Sequence, residues 1–136
     1  MKKGKTKMYI WIIISIFILI IVLLLLDPLR KQSENIREDV LKITPIGMSM
    51  EGVIEIIENR RRWEVRFICE ERGYSLFRGR PLRAIDPNAE IIGEKHIEGH
   101  LGWYRGVWRV DVTAFWAFDE NGKLIDVAIL KEGDAL

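Results

Sequence analysis

Cysteine and histidine are scarce in this chain, which has one cysteine, Cys69, and two histidines among 136 residues. A single cysteine cannot form an intrachain disulfide, so any folded domain depends on its apolar core alone. Because Cys69 lies far from the apolar N-terminal run, we do not expect a lipid-modified cysteine as the membrane anchor. No catalytic or cofactor motif of high specificity is present. We therefore expect no cofactor and assign no catalytic residue.

Acidic residues are absent from the first 26 positions, where four lysines precede an uncharged run at residues 8–26. At about 1.5 Å per residue, a helix over this run reaches about 28 Å, close to the bilayer's hydrocarbon core of about 30 Å. The flank that follows mixes acidic and basic residues. By the positive-inside rule, the lysines place the N-terminus in the cytoplasm. Residues 8–26 are thus predicted to be a transmembrane signal-anchor helix.

A cleaved signal peptide is one alternative to this anchor, and the reversed membrane orientation is another. Signal peptides have shorter apolar regions, of about 7–15 residues, and a small-residue cleavage site. The sequence LLLLDPLR at residues 23–30 offers no such site. The predicted organisation is a cytoplasmic lysine-rich tip (1–7), the transmembrane helix (8–26), a polar connector (27–35) and an extracytoplasmic domain (36–136).

The chain beyond the membrane run has no basic excess, since residues 32–136 carry 15 Lys and Arg against 19 Asp and Glu. Nucleic-acid binding needs a sustained basic surface, so we expect no nucleic-acid partner. The expected partners are the membrane itself, as an integral protein, and another protein of the cell envelope. The sequence does not point to a small molecule.

Two short helices are predicted after the connector. Ser33 or Asn35 is a suitable N-cap for a helix that runs to Leu41. A second helix follows Ser49, which is also a preferred N-cap residue. Its buried stripe is predicted from apolar residues at helical spacing: Met50, Val53, Ile54 and Ile57.

The period of the apolar residues changes from 3.6 to 2 after residue 62, which predicts strands. The first strand is predicted to place four alternating residues on the core face: Trp63, Val65, Phe67 and Cys69. Cys69 is accordingly interpreted as a buried, inert thiol rather than a nucleophile. Further strands are predicted at residues 74–77, 94–103, 107–118 and 123–130, with a long loop at 78–93.

The dipeptide Asn121-Gly122 predicts a hairpin between the last two strands. In the longer of these, the even-numbered residues 108–118 are predicted to face the core, opposite Arg109, Asp111 and Thr113. Helices that precede an antiparallel meander are typical of the α+β class. The predicted fold is thus an N-terminal transmembrane helix followed by one or two short helices packed on an antiparallel sheet of about four strands.

Two segments resemble the SmpA/OmlA (BamE-like) small outer-membrane lipoprotein domain and its β-lactamase-inhibitor-like relatives. The first is ITPIGMSMEGVIEII at residues 43–57, where a Gly-Met-Ser turn opens a helix. The second is WAFDENGKL at residues 116–124, a late hairpin with a glycine before an apolar strand. The resemblance implies a two-helix, antiparallel-sheet module that binds other proteins in the cell envelope.

His96, Glu98 and His100 are predicted to share one face of a strand, because residues two apart point the same way. Two histidines and a carboxylate at this spacing could bind a zinc-like metal ion. The alternative interpretation is that all three residues lie on the solvent face of the strand.

Eight arginines and only three acidic residues lie between residues 60 and 83. Arginine suits carboxylate and phosphate groups, so seven of these residues are candidates for an anion-binding site: Arg60, Arg61, Arg62, Arg66, Arg78, Arg80 and Arg83. The alternative is internal pairing across the sheet with acidic residues such as Asp111, Asp126, Glu94 and Glu98. The two interpretations remain open on the sequence alone.

Trp103, Tyr104 and Trp108 surround a glycine-flanked turn and are candidates for contact with a sugar or a protein partner. The alternative is that both tryptophans pack on the sheet while Tyr104 is solvated. Taken together, the sequence predicts a non-catalytic, membrane-anchored interaction module of the cell envelope. The alternatives are a metal- or anion-dependent envelope enzyme, a lipid- or glycan-binding domain, and a small regulator that acts through its membrane helix.

Overall fold

The computed structural model describes residues 2–133; the predictions for residue 1 and residues 134–136 fall outside the described residues. The first element is helix α1 (Lys2–Leu25), followed by a 3-10 turn (Pro28–Arg30) and helices α2 (Ser33–Ile43) and α3 (Met50–Asn59). The stretch Lys3–Leu25 is long and apolar enough to cross a membrane, and none of it is buried against the rest of the fold. With 24 residues, α1 is about 36 Å long.

The sequence signals for α3 are confirmed, and those for α2 are confirmed only in part. The Ser49 hydroxyl accepts a hydrogen bond from the Gly52 amide, and three predicted stripe residues of α3 are buried: Met50, Val53 and Ile57. The N-cap of α2 is Gln32, without a side-chain bond, so the prediction of Ser33 or Asn35 as the cap is wrong. Burial of Ile36 and Val40 against the sheet supplies the stability that a capping side chain does not.

Four antiparallel strands form the main sheet, in the order β1 (Glu64–Cys69), β5 (Lys95–Arg105), β6 (Arg109–Phe118), β7 (Leu124–Gly133). The α+β class and the four-stranded antiparallel sheet are therefore confirmed. The β6–β7 hairpin closes through Gly122, whose φ of 74° lies in the left-handed region. The Asp119 carboxylate supports this turn by accepting the amides of Asn121 and Lys123, each at 2.9 Å.

A second, three-stranded sheet combines the strand predicted at residues 74–77, which is confirmed, with two strands inside the segment predicted to be a long loop. Its order is β3 (Arg80–Leu82), β2 (Tyr74–Phe77), β4 (Glu90–Ile92), and both pairings are antiparallel. The loop prediction is wrong because Arg78 and Gly79, with φ of 52° and 74°, make a tight hairpin turn that Arg-Gly does not usually signal. Pro81 is tolerated because β3 is an edge strand.

The main sheet is covered on both faces at β6, where Thr113, predicted to lie opposite the core face, is itself buried. One face packs on α2 and α3 through residues such as Val112, Ala114 and Trp116. The other face carries Phe115 and Ala117, which pack with Tyr74 of the small sheet. Both faces are apolar because residues 114–118 form a continuous apolar run, the pattern of a strand covered on two sides. The fold therefore has three layers: helices, main sheet and small sheet.

The prediction that alternate residues 63–69 face the core is correct only for the first two of them. Trp63 and Val65 pack against the helix-side core, and the Trp63 ring lies 6.0 Å from the Trp116 ring. A β-bulge between Val65 and Phe67 then reverses the side-chain alternation. Phe67 is 53% exposed and Cys69 is only half-buried, so their prediction as core residues, and that of Cys69 as a buried thiol, is wrong.

The segment predicted as a connector takes part in the fold. Leu29, in the 3-10 turn just after α1, belongs to the same apolar core as Ile36 and Leu101. The Asp27 carboxylate caps this turn by accepting the Leu29 amide at 3.0 Å. The folded domain therefore begins next to the end of α1, without a flexible linker between them.

Candidate functional site

The seven candidate anion-binding arginines are divided among three places. Arg60, Arg61 and Arg62 lie at the turn between α3 and β1, where they line a cavity of about 410 Å³ with Pro28 and Leu29. Arg66 and Arg83 line a second cavity, on the small-sheet side of the main sheet. Arg78 and Arg80 belong to the β2–β3 hairpin; Arg78 lies over the Phe77 ring, and Arg80 donates to the Lys131 carbonyl at 3.5 Å.

The second cavity, of about 370 Å³, is lined by charged and polar side chains: Arg66, Arg83, Glu98, His100, Asp111 and Glu132. Arg83 is its central cation. Its guanidinium contacts Glu98 at 2.9 Å and Glu132 at 3.2 Å, and it donates to the Thr113 hydroxyl at 3.0 Å. The Arg83–Glu98 pair is one of the ion pairs across the sheet that were predicted from the sequence as the alternative to anion binding. This arginine therefore joins the small-sheet segment to β5 and β7.

His100 and Asp111 form the other polar contact of this cavity, with His100 Nε2 at 2.9 Å from Asp111 Oδ1. Arg109 donates two hydrogen bonds to the same carboxylate, at 3.0 and 3.2 Å. These bonds, that of Arg109 first and that of His100 after it, hold the pKa of Asp111 below its ordinary value. Asp111 is thus an ionised acceptor between two donors.

The three candidate metal ligands share one strand face, because they pair with alternate residues of β6. His96, however, is buried, its ring lies 5.8 Å from the Phe67 ring, and its Nδ1 is 2.7 Å from the Arg72 carbonyl oxygen. The interpretation of this face as solvated is therefore wrong, since the small sheet covers it. Within residues 2–133, no group of three His, Cys, Asp or Glu side chains is placed to hold a metal ion. The metal site at His96, Glu98 and His100 stays a prediction.

The aromatic candidates lie at the tip of the β5–β6 hairpin, close to the end of α1. Trp103 and Trp108 are 46% and 55% exposed, so the interpretation that they pack on the sheet is wrong. A bulge between His100 and Gly102 turns Trp103 away from the helix-side core, and Trp108 precedes the first residue of β6. Tyr104 is instead partly buried and packed against the core, with the cations of Arg30 and Lys131 each 5.2 Å from its ring centre.

Helix α1 and the tip of the β5–β6 hairpin meet in a cavity of about 310 Å³. Its lining combines Leu23 and Leu24 of α1, Asp27 and Arg30 after it, and Arg62, Trp103, Tyr104 and Arg105. Arg30 connects the two parts, because its guanidinium also donates to the Arg105 carbonyl. We call the surface formed by Arg30, residues 60–62 and residues 103–108 the juxtamembrane surface.

Sequence reasoning missed Arg30, Arg105 and Val107 as members of this surface. Val107 is 87% exposed, the highest value for a large apolar residue in the part of the chain that the structure describes. The sequence did contain a signal for Val107, because it is an apolar residue at a hairpin tip, where polar residues are usual. The position of Arg30 gave no such signal, since its contact lies 75 residues away in sequence.

The outer edge of β1 is a further candidate surface. Within the described residues β1 pairs with β5 alone, so its other edge is open. Phe67 and Ile68 on this strand are 53% and 41% exposed, on opposite faces of the sheet. An open edge with apolar side chains is the kind of surface to which an extended segment of another chain adds a strand.

Comparisons with protein-family models, curated proteins and solved structures found no match to this chain. The resemblance to the SmpA/OmlA domain accordingly stays a prediction.

Proposed function

We propose that this chain is a single-pass membrane protein with a cytoplasmic N-terminus, whose extracytoplasmic domain is a non-catalytic module that binds an envelope protein. The observation that carries the proposal is the open edge of β1, with Phe67 and Ile68 exposed on it. Strand addition along this edge would give a partner backbone hydrogen bonds, and the two side chains would give it apolar contacts.

Membrane anchoring is supported by the exposed apolar surface of α1. Burial of Leu29 in the domain core then holds the domain at the end of this helix. The four lysines before the apolar run and the mixed charge after it favour the orientation. A partner for such a domain would lie at or in the same membrane.

A binding role, rather than catalysis, is supported by the contacts within the polar cavity. Arg83 is held between two carboxylates and a hydroxyl, and His100 is held by Asp111. Each of these contacts joins neighbouring strands or layers of the fold. These contacts give the charged side chains of the cavity a structural role.

The orientation is tested by labelling with a membrane-impermeant maleimide in intact cells. Cys69→Ser removes the native thiol, and single cysteines are then placed by Gly4→Cys or by Ile85→Cys, the latter at a 74% exposed site on the β3–β4 loop. We expect labelling of the Ile85→Cys protein and none of the Gly4→Cys protein until the membrane is permeabilised. The opposite pattern would overturn the proposed orientation.

The β1 edge is tested by a photoreactive phenylalanine analogue at position 67 in the full membrane-inserted chain. We expect one discrete cross-linked adduct in membranes. Ile68→Lys should remove it, because a lysine on an edge strand opposes strand addition. Ile85→Lys is the matched control and should leave the adduct intact. No adduct, or an adduct that survives Ile68→Lys, would overturn the proposed binding edge.

A further inference from the structure

The juxtamembrane surface combines exposed apolar side chains with arginines. Trp103, Val107 and Trp108 are 46%, 87% and 55% exposed at the tip of the β5–β6 hairpin. Tryptophan is enriched where membranes meet water, because its ring is apolar and its N–H is polar. Exposure of these three apolar side chains to water at one tip is energetically unfavourable. Their position next to a membrane helix indicates what covers them.

The depth of the hairpin tip follows from its contacts with α1. Trp103 and Arg105 line the same cavity as Leu23 and Leu24, which belong to the last turn of α1. If α1 spans the bilayer, that turn lies at the boundary between hydrocarbon and headgroups. The tryptophan is thereby placed within reach of the headgroups.

The charge of this surface is predominantly positive. Within residues 2–133, Arg60, Arg61 and Arg62 form no ion pair with an acidic side chain, and neither does Arg105. Arg60 lies over the Trp63 ring, 4.6 Å from its centre, and Arg62 donates to the Trp103 carbonyl at 3.4 Å. These contacts orient the guanidinium groups without neutralising them.

Acidic side chains near this surface are few. Asp27 lines the cavity at the end of α1, and its carboxylate is used as the cap of the 3-10 turn. Glu58 and Glu64 flank the arginine turn in sequence and are exposed. Four arginines without acidic partners, beside two exposed tryptophans, match a layer of anionic phosphates in charge and in polarity.

We propose that the juxtamembrane surface binds the anionic phospholipid headgroups of the leaflet in which α1 ends, with Trp103, Val107 and Trp108 entering the interface. This inference rests on the proposed membrane anchoring of α1. Binding fixes the β5–β6 tip against the bilayer and leaves the β1 edge free for a protein partner. Since α1 and the domain are joined without a flexible linker, headgroup binding acts on the orientation of the whole chain relative to the bilayer, and the bound orientation brings the tip into the interface.

The test uses the full chain with Cys69→Ser and Val107→Cys, labelled with an environment-sensitive fluorophore and reconstituted into vesicles. One set of vesicles contains phosphatidylcholine alone, and the other contains equal parts of phosphatidylcholine and phosphatidylglycerol. Lipids with a nitroxide near the headgroup report contact by quenching. We expect strong quenching in the anionic vesicles and weak quenching in the neutral ones. A label at Ile85→Cys, on the β3–β4 loop, should be quenched in neither.

The arginines are tested by combining Arg60→Gln, Arg61→Gln and Arg62→Gln in the labelled chain. Each arginine near an anionic surface is expected to favour the bound orientation by about five-fold, so the variant should lose most of the quenching. Salt raised from about 0.1 M to about 1 M should act in the same direction, because the screening length falls from about 10 Å to about 3 Å. Equal quenching in both kinds of vesicle, or quenching that is unchanged in the Arg60→Gln, Arg61→Gln, Arg62→Gln variant, would overturn the inference.

A separate measurement distinguishes failure of this inference from failure of the anchoring. Resistance of the reconstituted chain to alkaline extraction reports whether α1 is inserted. An inserted chain whose Val107→Cys label is not quenched would overturn headgroup binding and leave the anchoring intact. Release of the chain at alkaline pH would overturn both.

Discussion

The hydrogen bond between Trp116 and Thr44 gives the sharpest test of how the helices are held on the sheet. The Trp116 ring is fully buried, and its Nε1–H donates to the Thr44 hydroxyl at 3.0 Å. That hydroxyl in turn donates to the Val40 carbonyl at 2.9 Å. Thr44 is the C-cap residue of α2. One buried chain of hydrogen bonds therefore joins the end of a helix to the centre of the sheet.

Thr44→Val keeps the shape of the side chain and removes the acceptor. The buried Trp116 N–H is then left without a partner, which costs about 1–3 kcal/mol of unfolding free energy. The Val40 carbonyl stays paired, because it also accepts the residue 44 amide at 2.8 Å. The expected loss therefore comes mainly from the orphaned indole N–H.

A double-mutant cycle isolates this contribution. Trp116→Phe removes the donor, so in that background Thr44→Val no longer orphans an N–H and should cost less, by about 1–2 kcal/mol. The measurement is urea unfolding of the full chain in lipid nanodiscs, followed by near-ultraviolet circular dichroism. If the two substitutions are additive within about 0.5 kcal/mol, the hydrogen bond does not couple helix and sheet as argued.

Three further predictions concern other contacts of the same domain. Gly99→Ala should cost about 1–3 kcal/mol in urea unfolding, because its methyl carbon would lie 2.7 Å from a ring carbon of Trp116. Asp111→Asn should make the melting temperature fall less steeply as the pH is lowered, as measured by thermal melts. The lowered pKa of Asp111 means that its contribution is present above the ordinary aspartate pKa of about 3.9 and is lost as the pH falls through the lower folded pKa. Arg37→Ala should cost about 1–3 kcal/mol in urea unfolding, since Arg37 joins α2 to Asp126 at 2.6 Å and to a β7 carbonyl at 2.7 Å.

Each of these predictions has a matched control. Gly106→Ala meets only one backbone oxygen, at 3.6 Å, so it should cost less than Gly99→Ala. Glu55→Gln, on the exposed face of α3, removes one carboxylate without touching the Asp111 contacts and is the control for Asp111→Asn. Arg37→Lys keeps the charge but not the forked donor, so its stability should lie between those of the native chain and the alanine variant. A reversed order within any pair would contradict the corresponding argument.

Local signals predicted the elements that depend on local chemistry. The capped helix α3, the alternating strands and the hairpin at Gly122 all follow from neighbouring residues. The second covered face of the main sheet was not predicted, although the continuous apolar run at residues 114–118 is a signal for it. The burial of Phe115 and Ala117 depends on a small sheet whose turn, at Arg78-Gly79, has no usual sequence signature.

The two bulges explain the remaining errors in strand faces. A strict period of two assigns Phe67 and Trp103 to the core, and one inserted residue before each reverses that assignment. The candidate site was affected in the same way, because the exposure of Trp103 and its proximity to α1 follow from the bulge and from contacts distant in sequence. Only the composition of the site, arginines and aromatics, could be predicted from the chain.

Burial of Leu29 fixes the rotation of helix α1 about its axis relative to the domain. Each face of α1 therefore has a fixed side of the domain beside it. Inserting one residue between α1 and the 3-10 turn would rotate the domain by about 100° about the helix axis. The domain would then keep its fold, and the open edge of β1 would point in another direction around the axis of α1.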